Sequence, residues 1–411
     1  MNKGKLQHYL QRILRKLAIW TLKKYQPGII AITGSVGKTS TKEAIYTVLK
    51  TSRLVRASSG NFNNELGMPL SILGDWQRIS GKWFWFKVVL VSCWKLIFRL
   101  KYPEILILEY AADRPGDIKY LLDIAKPQTG VVTAIGDIPV HVEFFSGPEA
   151  IAREKSKIIE ALPVTGFGIL NHDDQAVLDM RQRTRAHVIT YGFANDAEVQ
   201  ITNFENRMEN FRPAGVSFKL NYSGSFVPVK LESCFGKVQA YTAAAAACVG
   251  LIFGMNLVKI SEALLEYQSP PRRLKLLAGI KHTYIIDDSY NASPLSMRAA
   301  IETAKSLKAK RKVAILGDML EIGKYTPEAH ELIGKLAGKV FNLLITVGAR
   351  AKFIAEAAKE AGLAKKSIYS FDTAEEAMLK VQELIKQGDL ILIKGSNAIK
   401  LDKIVEEIKL I

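Results

Sequence analysis

The segment Thr33-Gly34-Ser35-Val36-Gly37-Lys38-Thr39-Ser40 holds the residues whose types and spacing bear most directly on chemistry in this chain. It follows a short apolar run that reads as a buried strand, and it opens a helical pattern. Loop N–H groups and a helix N-terminus therefore converge on one point, where they can cradle phosphate. Lys38 is then placed to reach β- and γ-phosphates, and the Thr39 hydroxyl to ligate Mg²⁺. The motif reads GxxGK[ST], with Ile32 standing where the longer GxxxxGK[ST] has its first glycine. A chance glycine turn is the competing reading, and the strand–GKT–helix context speaks against it. A nucleoside triphosphate site is expected over Gly34, Ser35, Val36, Gly37, Lys38, Thr39 and Ser40. The loop alone leaves open whether the triphosphate drives a motor, a kinase or a ligase.

Further polar groups follow. They are Gly60-Asn61-Phe62-Asn63-Asn64-Glu65-Leu66-Gly67-Met68-Pro69-Leu70, Glu109 in Leu-Glu-Tyr-Ala-Ala-Asp-Arg-Pro-Gly-Asp, and Ile135-Gly136 with His141. Beyond them come Leu170-Asn171-His172-Asp173-Asp174, Asp287-Asp288-Ser289-Tyr290-Asn291-Ala292-Ser293-Pro294, Leu316-Gly317-Asp318-Met319-Leu320-Glu321-Ile322-Gly323 and Lys394-Gly395-Ser396. Each has an ordinary reading by itself. Glu109 could be a strand-end surface acid, His141 a loop histidine, Lys155 a solvated helix residue, and Asp288-Ser-Tyr-Asn291 a polar strand-to-helix turn with an N-cap. Together, in this order from about residue 28 to the end, they resemble the Mur ligase family, and most of all its members that add D-alanyl-D-alanine.

The resemblance implies an ATP-dependent amide ligase. The γ-phosphoryl group is moved to a carboxylate, and an amine displaces it from the resulting acyl phosphate. Two anions meet in the first step, so cations must neutralise them. By resemblance, Thr39, Glu109 and His141 hold Mg²⁺. Lys155, in Ala152-Arg-Glu-Lys155, matches the lysine that many members carbamylate to hold a second metal, although Lys157 lies close by. Lys38, Glu109, His141 and Lys155 are the implied catalytic set. Arg273 is implied to contact ATP phosphate. Asp288, Tyr290 and Asn291 are implied to close over the nucleotide and the amine, and Asn63 and Asn64 to lie at the substrates. The implied acceptor is UDP-muramoyl-tripeptide, the implied amine D-alanyl-D-alanine, and the setting peptidoglycan precursor synthesis.

The sequence departs from the family in three places. About one helix precedes the glycine loop, where the D-alanyl-D-alanine-adding members carry a domain for the UDP-linked substrate, so either another element supplies that recognition or the acceptor differs. Gly236-Lys-Val238-Gln-Ala-Tyr-Thr242 stands where the family commonly reads Gly-Arg-His-Asn-x-x-Asn. Thr242 thus replaces the asparagine expected to read adenine, keeping a hydroxyl. Asn397 replaces the arginine usual after Lys-Gly-Ser. Two alternatives remain: another Mur-type ligase, of poly-γ-glutamate or folyl-polyglutamate kind, and a degenerate nucleotide-binding scaffold. The Asn-Asn-Glu and Asp-Ser-Tyr-Asn-Ala-Ser-Pro motifs favour the first reading over the other ligases, and the retained Lys38, Thr39, Glu109, His141 and Lys155 argue against the scaffold.

The elements that must position these residues are legible as α/β. Apolar runs at 105–108, 131–134 and 168–170 alternate with helical stretches, the pattern of a mostly parallel sheet. Residues 197–231 alternate as antiparallel strands do, and 241–257 reads as an alanine-rich helix. After the break at Gln268-Ser-Pro-Pro-Arg272, new units start at 283–286, 312–316, 343–347 and 390–393. The expected organisation is a basic amphipathic helix over 1–27, a P-loop central ATP-binding domain over 28–270, and a smaller Rossmann-like domain over 271–411. A length of 411 residues with 48% apolar and 24% charged residues suits two or three folded domains.

Lys and Arg number 57 against 40 Asp and Glu, and no acid precedes Glu43. Such a surplus attracts nucleotides, nucleic acid or anionic lipid. With no base-stacking motif or recognition module, nucleic acid is not expected. Leu6, Leu10, Ile13, Leu14, Leu17 and Trp20 recur at helical steps among basic residues. Residues 83–100 are strongly apolar, with Lys87, Lys95 and Arg99 near one another on a helix. This suits a helix lying in a membrane interface, the other reading being a core helix with a polar edge. The stretch 79–102 reads as an insertion. Peripheral binding to the anionic inner membrane face is expected. Cys93, Cys234 and Cys248 are too few for a disulfide framework, and no secretory signal is evident at the N-terminus, so a cytoplasmic protein is expected.

Overall fold

The computed structural model describes residues 3–58, 62–76, 81–209 and 212–410. Gly60-Asn61 of the Asn-Asn-Glu motif, Ile79-Ser80 of the apolar segment and the Leu6 side chain lie outside the described residues.

Strands of branched aliphatic residues alternate with amphipathic helices, and the chain builds two mostly parallel sheets. The first has nine strands, in the spatial order Val55–Ala57, Ile105–Glu109, Gly28–Thr33, Thr129–Val132, Phe167–Asn171, His187–Gly192, Val199–Glu209, Arg212–Tyr222 and Ser225–Glu232. The last three form the antiparallel part, and the final strand alternates buried and exposed residues because only one of its faces meets the core. The second sheet has six strands, in the order Lys275–Gly279, Thr283–Asp288, Leu390–Lys394, Lys312–Gly317, Leu343–Val347 and Ile368–Phe371, with only the first antiparallel to its neighbour.

Helices cover both faces of the first sheet, so the strand before the glycine loop is apolar throughout its centre: Ile29, Ile30, Ala31 and Ile32 are all buried. On one side lie the helix Lys38–Leu49 and the helix Lys237–Ile252, whose run Ala243 to Ala247 is fully buried. The alanine-rich helix thus starts and stops earlier than its composition predicts. Gly254, at φ 78°, turns the chain, and the Asn256 side chain caps a separate helix, Leu257–Leu264. On the other side pack the N-terminal helix Lys3–Tyr25, the helix Gly67–Leu73 and the helix Gly81–Ile97.

Helix Gly81–Ile97 divides the two readings of its sequence. Val88 and Ser92 are buried in the core, while Trp83, Phe86, Leu90, Trp94 and Ile97 are exposed. Its cations do not form one solvated edge. Lys95 folds inward, donates to the Leu73 carbonyl at 3.0 Å and has its pKa lowered by burial, whereas Lys87 and Arg99 stay exposed.

Candidate active site

The glycine loop is fastened to the neighbouring strand. Ser35 and Val36 N–H both donate to the Ala134 carbonyl, at 2.6 and 3.2 Å, and the Thr133 hydroxyl donates to the Val36 carbonyl at 2.7 Å. Gly34 allows this approach, since a Cβ there would fall 2.0 Å from Thr133 Oγ1 at a backbone φ of +144°. Gly37, at φ 91°, starts the helix Lys38–Leu49. The N–H groups left for an anion are therefore those of the first helical turn, Lys38, Thr39 and Ser40, where the helix dipole adds its field. Lys38 Nζ bonds back to the Gly34 carbonyl at 2.8 Å, and burial holds its pKa below the usual value, against the pull of Glu109.

Glu109 ends the strand beside the loop strand, in register with Ile32, which sets it next to the start of the loop helix. Its Oε2 lies 3.4 Å from Thr39 Oγ1 and its Oε1 3.2 Å from Lys42 Nζ. Lys42 is fully buried and also donates to the Ser58 carbonyl at 2.5 Å. It stands four residues after Lys38, on the same helix face. That spacing is the signal in the sequence for Lys42, which belongs to none of the motifs above. Ser35 Oγ, Glu109 Oε1 and His141 Nδ1 are buried without a hydrogen bond. Unsatisfied polar atoms are rare in folded interiors, so three around one cleft mark a place shaped for a polar ligand.

His141 sits in the left-handed region, φ 71°, in the loop after the strand Thr129–Val132. Its Nε2 is 3.3 Å from Asp113 and its Nδ1 2.9 Å from Glu321, the latter without hydrogen-bond alignment. Burial lowers its pKa to about 4. Asp113 opposes the shift, and Lys38 and Lys155 reinforce it. The imidazole is therefore neutral near pH 7, with a lone pair to offer.

Lys155, on helix Pro148–Glu160, is buried, and burial lowers its pKa to about 7, with Lys38 acting the same way. An unfolded chain keeps this lysine near 10.5, so between the two values it binds more protons than the folded chain, and stability rises as pH climbs from about 7. In nucleotide-free protein, Lys155→Met is expected to raise the melting temperature near pH 7 and to flatten its rise toward pH ~10. Calorimetry across that range checks this, and an unaltered slope would show that Lys155 titrates as an ordinary surface lysine.

The second sheet contributes the opposite wall. Arg273 Nη2 donates to Thr39 Oγ1 at 3.3 Å across the cleft, and its guanidinium lies 4.1 Å over the Tyr290 ring. Asp288, in register with Lys394, accepts from Lys394 Nζ at 2.5 Å and from Leu274 N–H at 3.2 Å. Burial pushes Asp288 up and Lys394 down, and their pairing opposes both shifts. Lys394 also donates to the Asn291 carbonyl at 2.9 Å, holding the turn. The next helix, Pro294–Ser306, is capped by Ser293 through a capping box with Ser296, so the turn residues Asp288, Tyr290 and Asn291 are not used as caps and line the cleft.

Asn63 lines the same cleft, and its carbonyl accepts from Ala111 N–H at 3.2 Å. Asn64 is turned away, its side chain accepting from Leu66 and Gly67 N–H at the start of Gly67–Leu73. It lines an adjoining pocket with Gln11, Arg114 and Asp117. Thr242 is buried in a second cavity, reached past Val36, Gly37 and Val238 and shared with Asn171, Tyr241 and Arg298. There Tyr241 donates its hydroxyl to Asp173 at 2.7 Å.

Known proteins resemble this arrangement. Residues 32–78 and 91–250 match the Mur ligase middle domain, and residues 272–397 match the Mur ligase glutamate ligase domain. The break in the first match falls inside the segment 79–102. The chain is 30% identical over 397 residues to the UDP-N-acetylmuramoyl-tripeptide--D-alanyl-D-alanine ligase of Bacillus subtilis, covering 96% of this chain and 79% of that protein. It superposes on the MurF ligase from Thermotoga maritima in complex with ADP with a TM-score of 0.79 at 27% identity, covering 97% and 83% of the two chains. Folylpolyglutamate synthase from Mycobacterium tuberculosis, at 16% identity and a TM-score of 0.67 over 96% of each chain, shares the fold alone.

Proposed function

This chain belongs to the Mur ligase family, and from that membership and the cleft it builds we propose that it joins D-alanyl-D-alanine to the carboxylate of a UDP-muramoyl-tripeptide, using ATP and releasing ADP and phosphate. The observation that carries the reading is the meeting of a phosphate-binding helix start, Lys38, the Thr39–Glu109 pair and Arg273 in one cleft between the two sheets.

Lys38 and the first-turn N–H groups orient the triphosphate and draw charge off its γ-phosphoryl group. The acceptor carboxylate attacks the γ-phosphorus, the bond to the β,γ-bridging oxygen breaks, and ADP leaves. The dipeptide amine then attacks the acyl carbon, loses a proton, and inorganic phosphate departs. Arg273, fixed over Tyr290, reaches the phosphates from the second sheet, and Asn291 and Tyr290 border the amine. Asn63 borders the acceptor.

Thr39, Glu109 and His141 would hold Mg²⁺, and Lys155, as a carbamate, a second ion. Glu109 Oε2 and the Thr39 hydroxyl, 3.4 Å apart at the start of the loop helix, are the hard oxygen donors such a cation takes, while Glu109 Oε1 faces Lys42. Among the described residues no group of three or more His, Cys, Asp and Glu side chains is assembled for a metal. Bound there, the ion neutralises the two anions that must meet.

The enzyme works in the cytoplasm, at the inner face of the membrane. The test of the reaction is phosphate release from ATP with a panel of carboxylates and amines. Release that needs both UDP-muramoyl-tripeptide and D-alanyl-D-alanine is the expected result. Release with another pair would reassign the substrates, and none with any pair would leave a nucleotide-binding scaffold.

A further inference from the structure

On helix Gly81–Ile97 the side chains Trp83, Phe86, Leu90, Trp94 and Ile97 recur at three- and four-residue steps and form one stripe facing solvent, Trp83 at 82% and Ile97 at 72% exposure. Phe98 and Leu100 continue it. A contiguous exposed apolar patch of this kind marks a surface that meets something. The two segments that build this surface bring charge of one sign. Residues 1–42 and 76–103 contain no Asp or Glu, and Lys87, Arg99 and Lys101 are exposed on or just beyond the helix. The N-terminal helix is bound to this one by Lys24, which donates to the Lys95 and Leu96 carbonyls at 3.0 and 2.9 Å. It turns Arg12, Lys16 and Lys23 to solvent, together with Tyr9 and Trp20.

We propose that this two-helix surface docks on an anionic lipid bilayer, the stripe entering the interface and the lysines and arginines resting on the headgroups. The helix lies on the membrane rather than crossing it. Its 17 residues span about 26 Å, short of a hydrocarbon core of about 30 Å, and among the described residues no helix is long and apolar enough to span. A second copy of the chain is the poorer occupant, because a two-fold contact would set the cations of these two acid-free segments against one another. The inference rests on placing the enzyme at the membrane face and is independent of the ligase chemistry.

The full chain is sedimented with vesicles of phosphatidylcholine alone and with one third phosphatidylglycerol, at low and high salt, while phosphate release is followed in lipid-free solution. The expected result is binding to the anionic vesicles only, weakened about tenfold or more by high salt and by Leu90→Glu with Trp94→Glu. Both positions face solvent, so folding and lipid-free phosphate release are expected to persist in the variant. Equal binding to neutral vesicles, no binding to either, or binding that the variant retains would overturn the proposal. So would a wild-type dimer that the variant converts to monomer while vesicles bind neither form. Absent phosphate release with intact vesicle binding would count against the ligase reading and leave this one standing.

Discussion

Lys38→Met is expected to lower phosphate release about a thousandfold or more while leaving the melting temperature unchanged or higher. The ammonium group is the cation placed to take charge from the γ-phosphoryl group, and removing one preorganised charge partner costs about 4 kcal/mol of barrier, close to a factor of a thousand. In the empty protein the same group is a burden. It is buried, its pKa is pushed down by desolvation, and its partner in the cleft is a loop carbonyl, Gly34. Methionine keeps the apolar stem and removes the charge. Phosphate release measured beside thermal unfolding separates the two effects, and activity within tenfold of the wild type would remove Lys38 from the chemistry.

Glu109→Gln is expected to act on both properties. Its carboxylate is 1% exposed and 3.2 Å from the fully buried Lys42, so neutralising it strips a buried cation of its interior counter-ion. Lys42 keeps the Ser58 carbonyl and the half-exposed Glu43, which places the cost at about 3 kcal/mol, the lower end for breaking a buried pair. Phosphate release is expected to fall as well, because the negative charge beside Thr39 is lost. Adding Lys42→Met removes the buried cation and should return most of the stability without returning activity. Denaturant unfolding of the two single variants and the double variant checks this by the size of their coupling. Additive losses would show that Glu109 and Lys42 do not stabilise the fold as a pair.

These two residues mark how far the sequence reads. Lys38 is legible because strand, glycine turn and helix are consecutive, and its role follows from local spacing. Glu109 is legible through its motif, but its bond with Lys42 is not, since the two come together only through the parallel register of Ile32 with Glu109. Arg273 and Thr39 are 234 positions apart, and His141 and Glu321 are brought together from different sheets. The end of the alanine-rich helix was misplaced because alanine carries no stop signal, whereas Gly254 and Asn256 do. Helical spacing groups Lys95 with Lys87 and Arg99, and its inward turn is not legible because the Leu73 carbonyl that receives it lies 22 residues away.

By itself the sequence determined the α/β class, the phosphate-binding turn, the antiparallel run and the family's motifs. Each depends on neighbours within a few residues, where periodicity and turn chemistry act directly. The tertiary structure alone decided which polar atoms were left without hydrogen bonds in the cleft, which lysines have their pKa lowered by burial, and which face of helix Gly81–Ile97 meets solvent. Those outcomes depend on what packs opposite, and that is settled by free energy summed over the whole chain rather than by any local pattern.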